Sequence, residues 1–134
     1  MRVSGTYDGE SGSIAEARRL ATVFLGRVVA EGAAPVPADV VGIAQLVVSE
    51  LVTNAVKHVG GPCGVDLELV GDAVEIGVWD HSSQPATVMD HDPARIGRHG
   101  MEIVAALCGG FEVDLTPTGK RVTVRLSLRP APGR

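Results

Sequence analysis

The sequence is poor in cysteine and in net positive charge. Its two cysteines, Cys63 and Cys108, are far apart and without C-x-x-C spacing, which disfavours a disulfide framework and a zinc site and predicts two inert thiols. Twelve basic residues stand against 16 acidic ones, giving a formal charge of −4. Nucleic acids and anionic lipids need a clustered positive surface. Neither is expected as a partner.

Long hydrophobic runs are also scarce. The longest apolar stretch, residues 40–59, is interrupted by polar side chains. They are Gln45, Glu50, Asn54, Lys57 and His58. A bilayer span needs about 20 predominantly apolar residues. The first ten residues contain no apolar run followed by a cleavage site of the kind a secretory signal has. We therefore expect no transmembrane helix and a cytoplasmic protein.

Several sequence motifs of common enzymes are missing. There is no G-x-x-x-x-G-K-[ST] phosphate loop and no G-x-S-x-G turn, which disfavours P-loop NTPases and serine hydrolases. The histidines of the loop region also argue against a zinc site, because they do not have metal-ligand spacing on a common element. They are His81, His91 and His99. The 134 residues, 45% of them apolar, are sufficient for one domain over 1–134. The proline-rich residues 129–134 are expected to form a flexible tail.

The hydrophobic periodicity predicts strands and helices in the order β-α-α-β-β-α-β-β. Helices are predicted at about 14–31, begun by a capping box of Ser13 and Glu16, at 40–59 and at 100–108. Strands are predicted at 2–7, in a hairpin of 65–69 and 74–78 around Gly71-Asp72, and in a second hairpin of 111–115 and 122–128. Residues 81–99 have no periodicity and are predicted as a long loop. The pattern favours an α+β fold, a two-layer sandwich with helices on one face of a mainly antiparallel mixed sheet.

A polar stripe interrupts the second, otherwise apolar helix. Glu50, Asn54 and His58 are four residues apart and lie on one face. One interpretation is a solvated stripe. The other is a site in which the amide oxygen of Asn54 ligates Mg²⁺ and Glu50 orients or deprotonates a hydroxyl or water near a γ-phosphate.

Two further segments have the residue types of a nucleotide site. Asp80 ends an alternating strand and is followed by a loop, where a carboxylate can either accept a hydrogen bond from adenine N6 or cap its own turn. Gly97 to Val104 is a glycine-bearing loop that leads into a helix. The free N–H groups at such a helix start attract phosphate, although glycine also serves in ordinary turns.

Taken in order, the three segments resemble the GHKL ATP-binding superfamily, most closely the RsbW/SpoIIAB-like anti-sigma-factor serine kinases. The segment from Val48 to His58 resembles the N box of that family, and the segment from Val78 to Pro85 its adenine box. Gly97 to Val104 resembles the glycine box, and Gly119 to Thr123 the final box. Arg121 stands where that final box has a threonine, and Thr123 is the candidate replacement.

The resemblance implies a role for each matched residue. It implies Glu50 as general base and Asn54 as the Mg²⁺ ligand, with ATP and Mg²⁺ as cofactors. The nucleotide-binding residues that it implies are Asn54, His58, Asp80, Ser82, Gly97, Arg98, His99, Gly100, Met101 and Thr123.

The function implied by the resemblance is regulation by partner switching. Such a protein sequesters a sigma factor and phosphorylates a serine or threonine of a STAS-type anti-sigma-factor antagonist, and a homodimer is possible. The adenine box has Ser82 and Gln84 where many members have glycine. This departure motivates an alternative, a nucleotide-binding interaction module without kinase activity. A structural domain without nucleotide affinity is a third interpretation.

Overall fold

A computed structural model of the protein describes residues 1–58, 61–81 and 98–129. Within these ranges the chain forms five strands and three helices in the predicted order. They are β1 (Arg2–Tyr7), α1 (Gly12–Ala30), α2 (Val40–His58), β2 (Cys63–Val70), β3 (Ala73–Asp80), α3 (Arg98–Cys108), β4 (Glu112–Thr116) and β5 (Gly119–Ser127). The side chains of His58 and of residues 98–101 lie outside the description.

The strands form one sheet in the order β1-β2-β3-β5-β4. The predicted α+β class with a mainly antiparallel sheet is confirmed, and all pairings of the described strands are antiparallel, with no parallel pair among them. The β2–β3 hairpin turns at Gly71 and Asp72 as predicted, and Gly71 has a φ of 60°, a left-handed conformation that glycine adopts without strain.

The core lies between the helices and one face of the sheet. Alternate residues of the three central strands point toward the helices, among them Val65, Ile76 and Val124, each at most 1% exposed. They pack in one cluster with residues of α1 and α2, including Phe24 and Val48. The chain is thus a two-layer structure with its helices on one side of the sheet.

The second helix is the most apolar of the three described helices. Over Val40–Lys57 it is long and apolar enough to cross a membrane by length and composition, a test that core helices of soluble proteins also pass. Val47, Val48 and Val52 are fully buried in the core cluster. Packing against this protein's own core therefore uses part of the apolar surface of α2.

The first helix begins differently from the prediction. It starts at Gly12 after Ser11, which makes no side-chain capping hydrogen bond, so the predicted capping box of Ser13 and Glu16 is wrong. Asp8, just after β1, accepts hydrogen bonds from the Ser13 hydroxyl at 3.1 Å and from the Glu10 backbone N–H at 2.8 Å. The Ser13 hydroxyl, which the capping box required, is instead hydrogen-bonded to the carboxylate of Asp8 before the helix.

The other face of the sheet has a polar network across four strands. Asp66 on β2 accepts hydrogen bonds from Ser4 Oγ at 2.6 Å and Arg121 Nη1 at 2.5 Å. The Arg121 side chain reaches Asp66 from β5 across Gly77 of β3, where a Cβ would overlap the guanidinium group. Burial alone would raise the pKa of Asp66, but the hydrogen bonds from Ser4 and Arg121 and the positive charges of Arg121 and Arg2 lower it below its usual value.

Candidate functional site

The candidate site lies at the end of the sheet where β2 begins and β3 ends. Cys63, the first residue of β2, is paired with Asp80, the last residue of β3, and Asp80 is paired with Lys120 of β5. Because α2 ends at His58, only a short connection before β2, its C-terminal half lies at this end of the sheet. Helix α2 also packs against β3 and α3. The three segments singled out in the sequence therefore belong to neighbouring elements.

Asn54 on α2 is a buried amide without a partner. The residue is 7% exposed, and neither Oδ1 nor Nδ2 meets a hydrogen-bond partner among the described residues. Such groups are rare because burying an unpaired amide is unfavourable. The solvated-stripe interpretation is wrong for Asn54. An unpaired amide oxygen is the hard donor that Mg²⁺ prefers, so Asn54 fits the predicted role.

Glu50 lies one helical turn before Asn54. Its side chain is half-buried, and it forms neither a hydrogen bond nor an ion pair with the parts of the chain that the structure describes. No group of three His, Cys, Asp or Glu residues in these parts is placed to hold a metal. A metal at Asn54 would therefore complete its coordination with oxygens of a ligand and with water, as Mg²⁺ commonly does.

Asp80 faces the helix side of the sheet, where it continues the alternation of Ile76 and Val78. Its side chain is 5% exposed, and Oδ2 accepts a hydrogen bond from Lys120 Nζ at 2.8 Å, a lysine whose side chain is 6% exposed. Sequence reasoning did not identify this ion pair. The signal was available, since Lys120 has the same parity as the inward-facing Val122 and Val124.

Both cysteines are removed from solvent to different degrees, and Cys63 is the cross-strand partner of Asp80. Cys63 is fully buried beside it, and burial raises the pKa of the Cys63 thiol, with further contributions from the carboxylates of Asp80 and Asp8. Burial also raises the pKa of the half-buried Cys108. Both cysteines are free thiols, and the raised pKa values agree with the predicted lack of reactivity.

Comparison with known proteins identifies the family. A family model described as the histidine kinase-like ATPase domain matches residues 12–126. The chain belongs to this family. The match confirms the resemblance found in the sequence, and membership implies a nucleotide site.

A solved structure shows the same fold. The RsbU and RsbW domains of Rv1364c from Mycobacterium tuberculosis align with 98% of this chain at a TM-score of 0.70 and 20% identity. The aligned region covers 34% of that protein, so this chain spans about a third of its length. No curated protein matches the sequence of the chain.

The N-terminus of α3 is the third segment that the sequence analysis singled out. Arg98, His99, Gly100 and Met101 form the first turn of α3, so the helix begins two residues earlier than predicted. The first N–H groups of a helix have no intrahelical partner and can bind phosphate. The predicted residues Ser82 and Gly97 lie outside the described ranges, as do the side chains of these four residues and of His58.

Thr123 does not lie with the other predicted site residues that the structure describes. On β5 it alternates with the core residues Val122 and Val124, and therefore points to the opposite face of the sheet. There it lines a cavity with Glu75, Glu112 and Arg125. Lys120, three residues earlier, is the β5 residue that reaches Asp80.

Proposed function

We propose that this chain binds ATP with Mg²⁺ in a site at one end of the sheet, formed by α2, the end of β3 and α3. The bound ATP would be used in partner switching. The unpaired amide of Asn54 carries the proposal, because it is a buried oxygen donor on the helix that resembles the N box. The partners would be a sigma factor and a STAS-type antagonist protein, in the cytoplasm. The likeness in fold to a protein with an RsbW domain supports this choice of system.

Each residue of the site has a distinct role in the proposal. Asn54 Oδ1 would hold Mg²⁺, which neutralises phosphate charge when it is bound. The free N–H groups of the first turn of α3 would bind phosphate oxygens. Asp80 would accept a hydrogen bond from the base. Glu50, which has no partner among the described residues, would take the proton of an attacking serine or threonine hydroxyl.

The nucleotide site is tested by removing the amide of Asn54. Asn54→Ala should abolish Mg²⁺-dependent ATP binding in calorimetric titration, because the oxygen donor is lost. Gln45→Ala is the matched control, since Gln45 is an amide on the same helix whose Nε2 donates to Thr22 Oγ1 at 2.8 Å. It should leave the affinity unchanged. An Asn54→Ala protein that binds as tightly as the wild type would refute the assignment.

Phosphoryl transfer is tested separately at Glu50. Glu50→Gln should keep ATP affinity but lower the transfer of radiolabel to a STAS-type antagonist by about 10²–10⁴-fold, the usual contribution of a general base. Transfer at the wild-type rate would show that Glu50 is not the base. A wild-type protein that binds ATP and a partner but labels no antagonist would support the alternative, an interaction module without kinase activity.

A further inference from the structure

Strand β4 forms one edge of the sheet. In the order β1-β2-β3-β5-β4 it pairs with β5 on one side, and no strand among the described residues pairs with its other side. Such an edge presents unpaired backbone N–H and C=O groups, to which another extended segment can bind. Four of the five residues of β4 are exposed. The strand is therefore open to contact along most of its length.

The outer face of β4 carries two carboxylates that the fold does not use. Glu112 and Asp114 are the cross-strand partners of Thr123 and Arg121, which point away from the helices, so both carboxylates lie on that face too. Neither forms a hydrogen bond or an ion pair within the parts of the chain that the structure describes. Arg121 reaches across β3 to Asp66 instead. The outer face of β4 therefore keeps an uncompensated row of negative charge.

The helix side of β4 carries apolar surface that the core does not cover. Leu115 is the cross-strand partner of the inward-facing Lys120 and so points to the helix side, yet it is 65% exposed. On the same side of the sheet, α3 packs against β5, and its Ile103 and Leu107 are each 42% exposed. They are four residues apart and form one stripe on the helix. Strand β4 thus offers carboxylates on one face and apolar surface on the other.

The charges decide which kind of strand fits this edge. The β4 strand of a second copy would place the carboxylates of both copies side by side on one face, which is unfavourable. An added strand with lysine or arginine on that face would instead form favourable cross-strand pairs with Glu112 and Asp114. Its alternate residues would be apolar, because they would lie beside Leu115 on the helix side.

We propose that β4 binds an extended segment of a partner protein in which basic and apolar residues alternate, and that this segment adds a strand to the sheet. Backbone hydrogen bonds to β4 would supply the affinity. The two carboxylates and the exposed leucine would supply the specificity. The inference goes beyond the proposed nucleotide site, and it holds whether or not the chain binds ATP.

The test is fluorescence anisotropy of the full chain with a labelled, end-capped peptide of alternating lysine and valine, about seven residues long so that it covers β4. This peptide should bind with a Kd below about 1 mM, and more weakly as the salt concentration rises. A peptide of alternating glutamate and valine should not bind, because its carboxylates would face those of β4. A scrambled lysine–valine peptide should bind about tenfold more weakly or worse, because its lysines cannot all lie on one face.

Backbone pairing is tested by N-methylation of the peptide. In a strand the N–H groups of alternate residues point to the same edge, so methylating either all lysine or all valine nitrogens blocks one edge only. One of the two methylated peptides should lose affinity by about tenfold or more, and the other should bind as the unmodified peptide does. This comparison uses the wild-type protein and needs no variant to fold.

The position of the contact is tested by reversing charge on β4. Glu112→Lys combined with Asp114→Lys should weaken binding by about tenfold or more, because attractive cross-strand pairs become repulsive. Glu10→Lys combined with Glu31→Lys is the matched control, since it changes the net charge equally at exposed positions on either side of α1. The control should bind the peptide within about twofold of the wild type.

The apolar half of the contact is tested at Leu115. Leu115→Thr keeps a residue that favours a strand but removes most of the apolar surface, and it should weaken binding by about threefold or more. Val23→Thr is the control, because Val23 is a 55% exposed apolar residue on α1. It should leave the affinity unchanged.

Three results would overturn the proposal. They are no saturable binding of the lysine–valine peptide up to about 1 mM, equal affinities of the two methylated peptides, or unchanged binding by the folded charge-reversal variant. A wild type that binds the peptide but no ATP would refute the nucleotide site and support this inference. A wild type that binds ATP but not the peptide would do the reverse.

Discussion

At the scale of single residues, Asn54 and Asp66 are both nearly buried but differ in their partners. Asp66 accepts hydrogen bonds from Ser4 and Arg121, whereas the amide of Asn54 has no partner among the described residues. A satisfied buried group is compatible with a structural role. A buried polar group without a partner lowers stability, and it is retained where a bound ligand supplies the missing interaction. For this reason Asn54, and not Asp66, is assigned to binding.

Asp66 gives a prediction about pH. Its pKa in the folded protein lies below the usual value, so the ionised carboxylate stabilises the fold at neutral pH, and this contribution is lost as the pH falls through the folded-state pKa. Asp66→Asn should lower the free energy of unfolding at pH 7 by about 1–3 kcal/mol. Urea denaturation at several pH values would measure it. The difference from the wild type should shrink as the pH falls toward the folded-state pKa, and a constant difference would contradict the assignment.

The site residues differ in how far the sequence predicted them. Four-residue spacing was enough to place Glu50 and Asn54 on one helical stripe, because helical periodicity is a local property. The partner of Asp80 was not predicted. Lys120 is 40 residues away in the sequence, and no local pattern shows that β3 and β5 are neighbours.

At the scale of elements, the strands depend on glycines where side chains cross them. Gly77 has no side chain, and this allows Arg121 to pass over β3 and reach Asp66 on β2. Similarly, the indole of Trp79 lies over Gly64, where a Cβ would overlap the ring. The exposed face of the sheet is thus tied together by side chains that lie over neighbouring strands.

The effect of Gly77→Ala on stability is expected to depend on whether Arg121 is present. Gly77→Ala should destabilise the wild type by about 1 kcal/mol, because the added Cβ displaces the guanidinium group from Asp66. In an Arg121→Ala background the same change should be neutral or stabilising by about 0.5–1 kcal/mol, since alanine is favoured over glycine within a strand. A double-mutant cycle by urea denaturation measures the coupling.

Gly42→Ala on α2 is the control for that cycle. A Cβ at Gly42 meets nothing within 4 Å, so the change should have the same effect in both backgrounds. Equal effects of Gly77→Ala with and without Arg121 would contradict the proposed path of the arginine side chain.

The helix boundaries show which local signals were sufficient. The predicted α2 and α3 end where glycine follows in the sequence, and the structure ends them at His58 and Cys108. The start of α1 was less predictable. The capping box of Ser13 and Glu16 was a valid local pattern, but Asp8 competes for the same hydroxyl from outside the helix.

At the scale of the whole molecule, element types and order were predictable and the arrangement of the strands was not. Alternation and helical periodicity identify strands and helices because they depend on residues that are close in sequence. The position of β5 between β3 and β4 depends on long-range pairing. The position of Thr123 was not predicted either. Thr123 was expected in the site because it belongs to the segment that resembles the final box, but it lies on the opposite face of the sheet.

The sheet also separates Met1 and Leu128 from the candidate site. The carbonyl of Met1 accepts a hydrogen bond from Leu69 N–H at 2.9 Å, and Leu128 N–H donates to the Asp72 carbonyl at 2.8 Å, so both lie near the β2–β3 turn. Cys63, Asp80 and Gly119 lie at the far end of the same strands. A neighbouring domain, an affinity tag or a fluorescent label joined beyond Met1 or Leu128 would emerge away from the proposed nucleotide. The fold is thus suited to be joined to other domains in a longer polypeptide without blocking the proposed site.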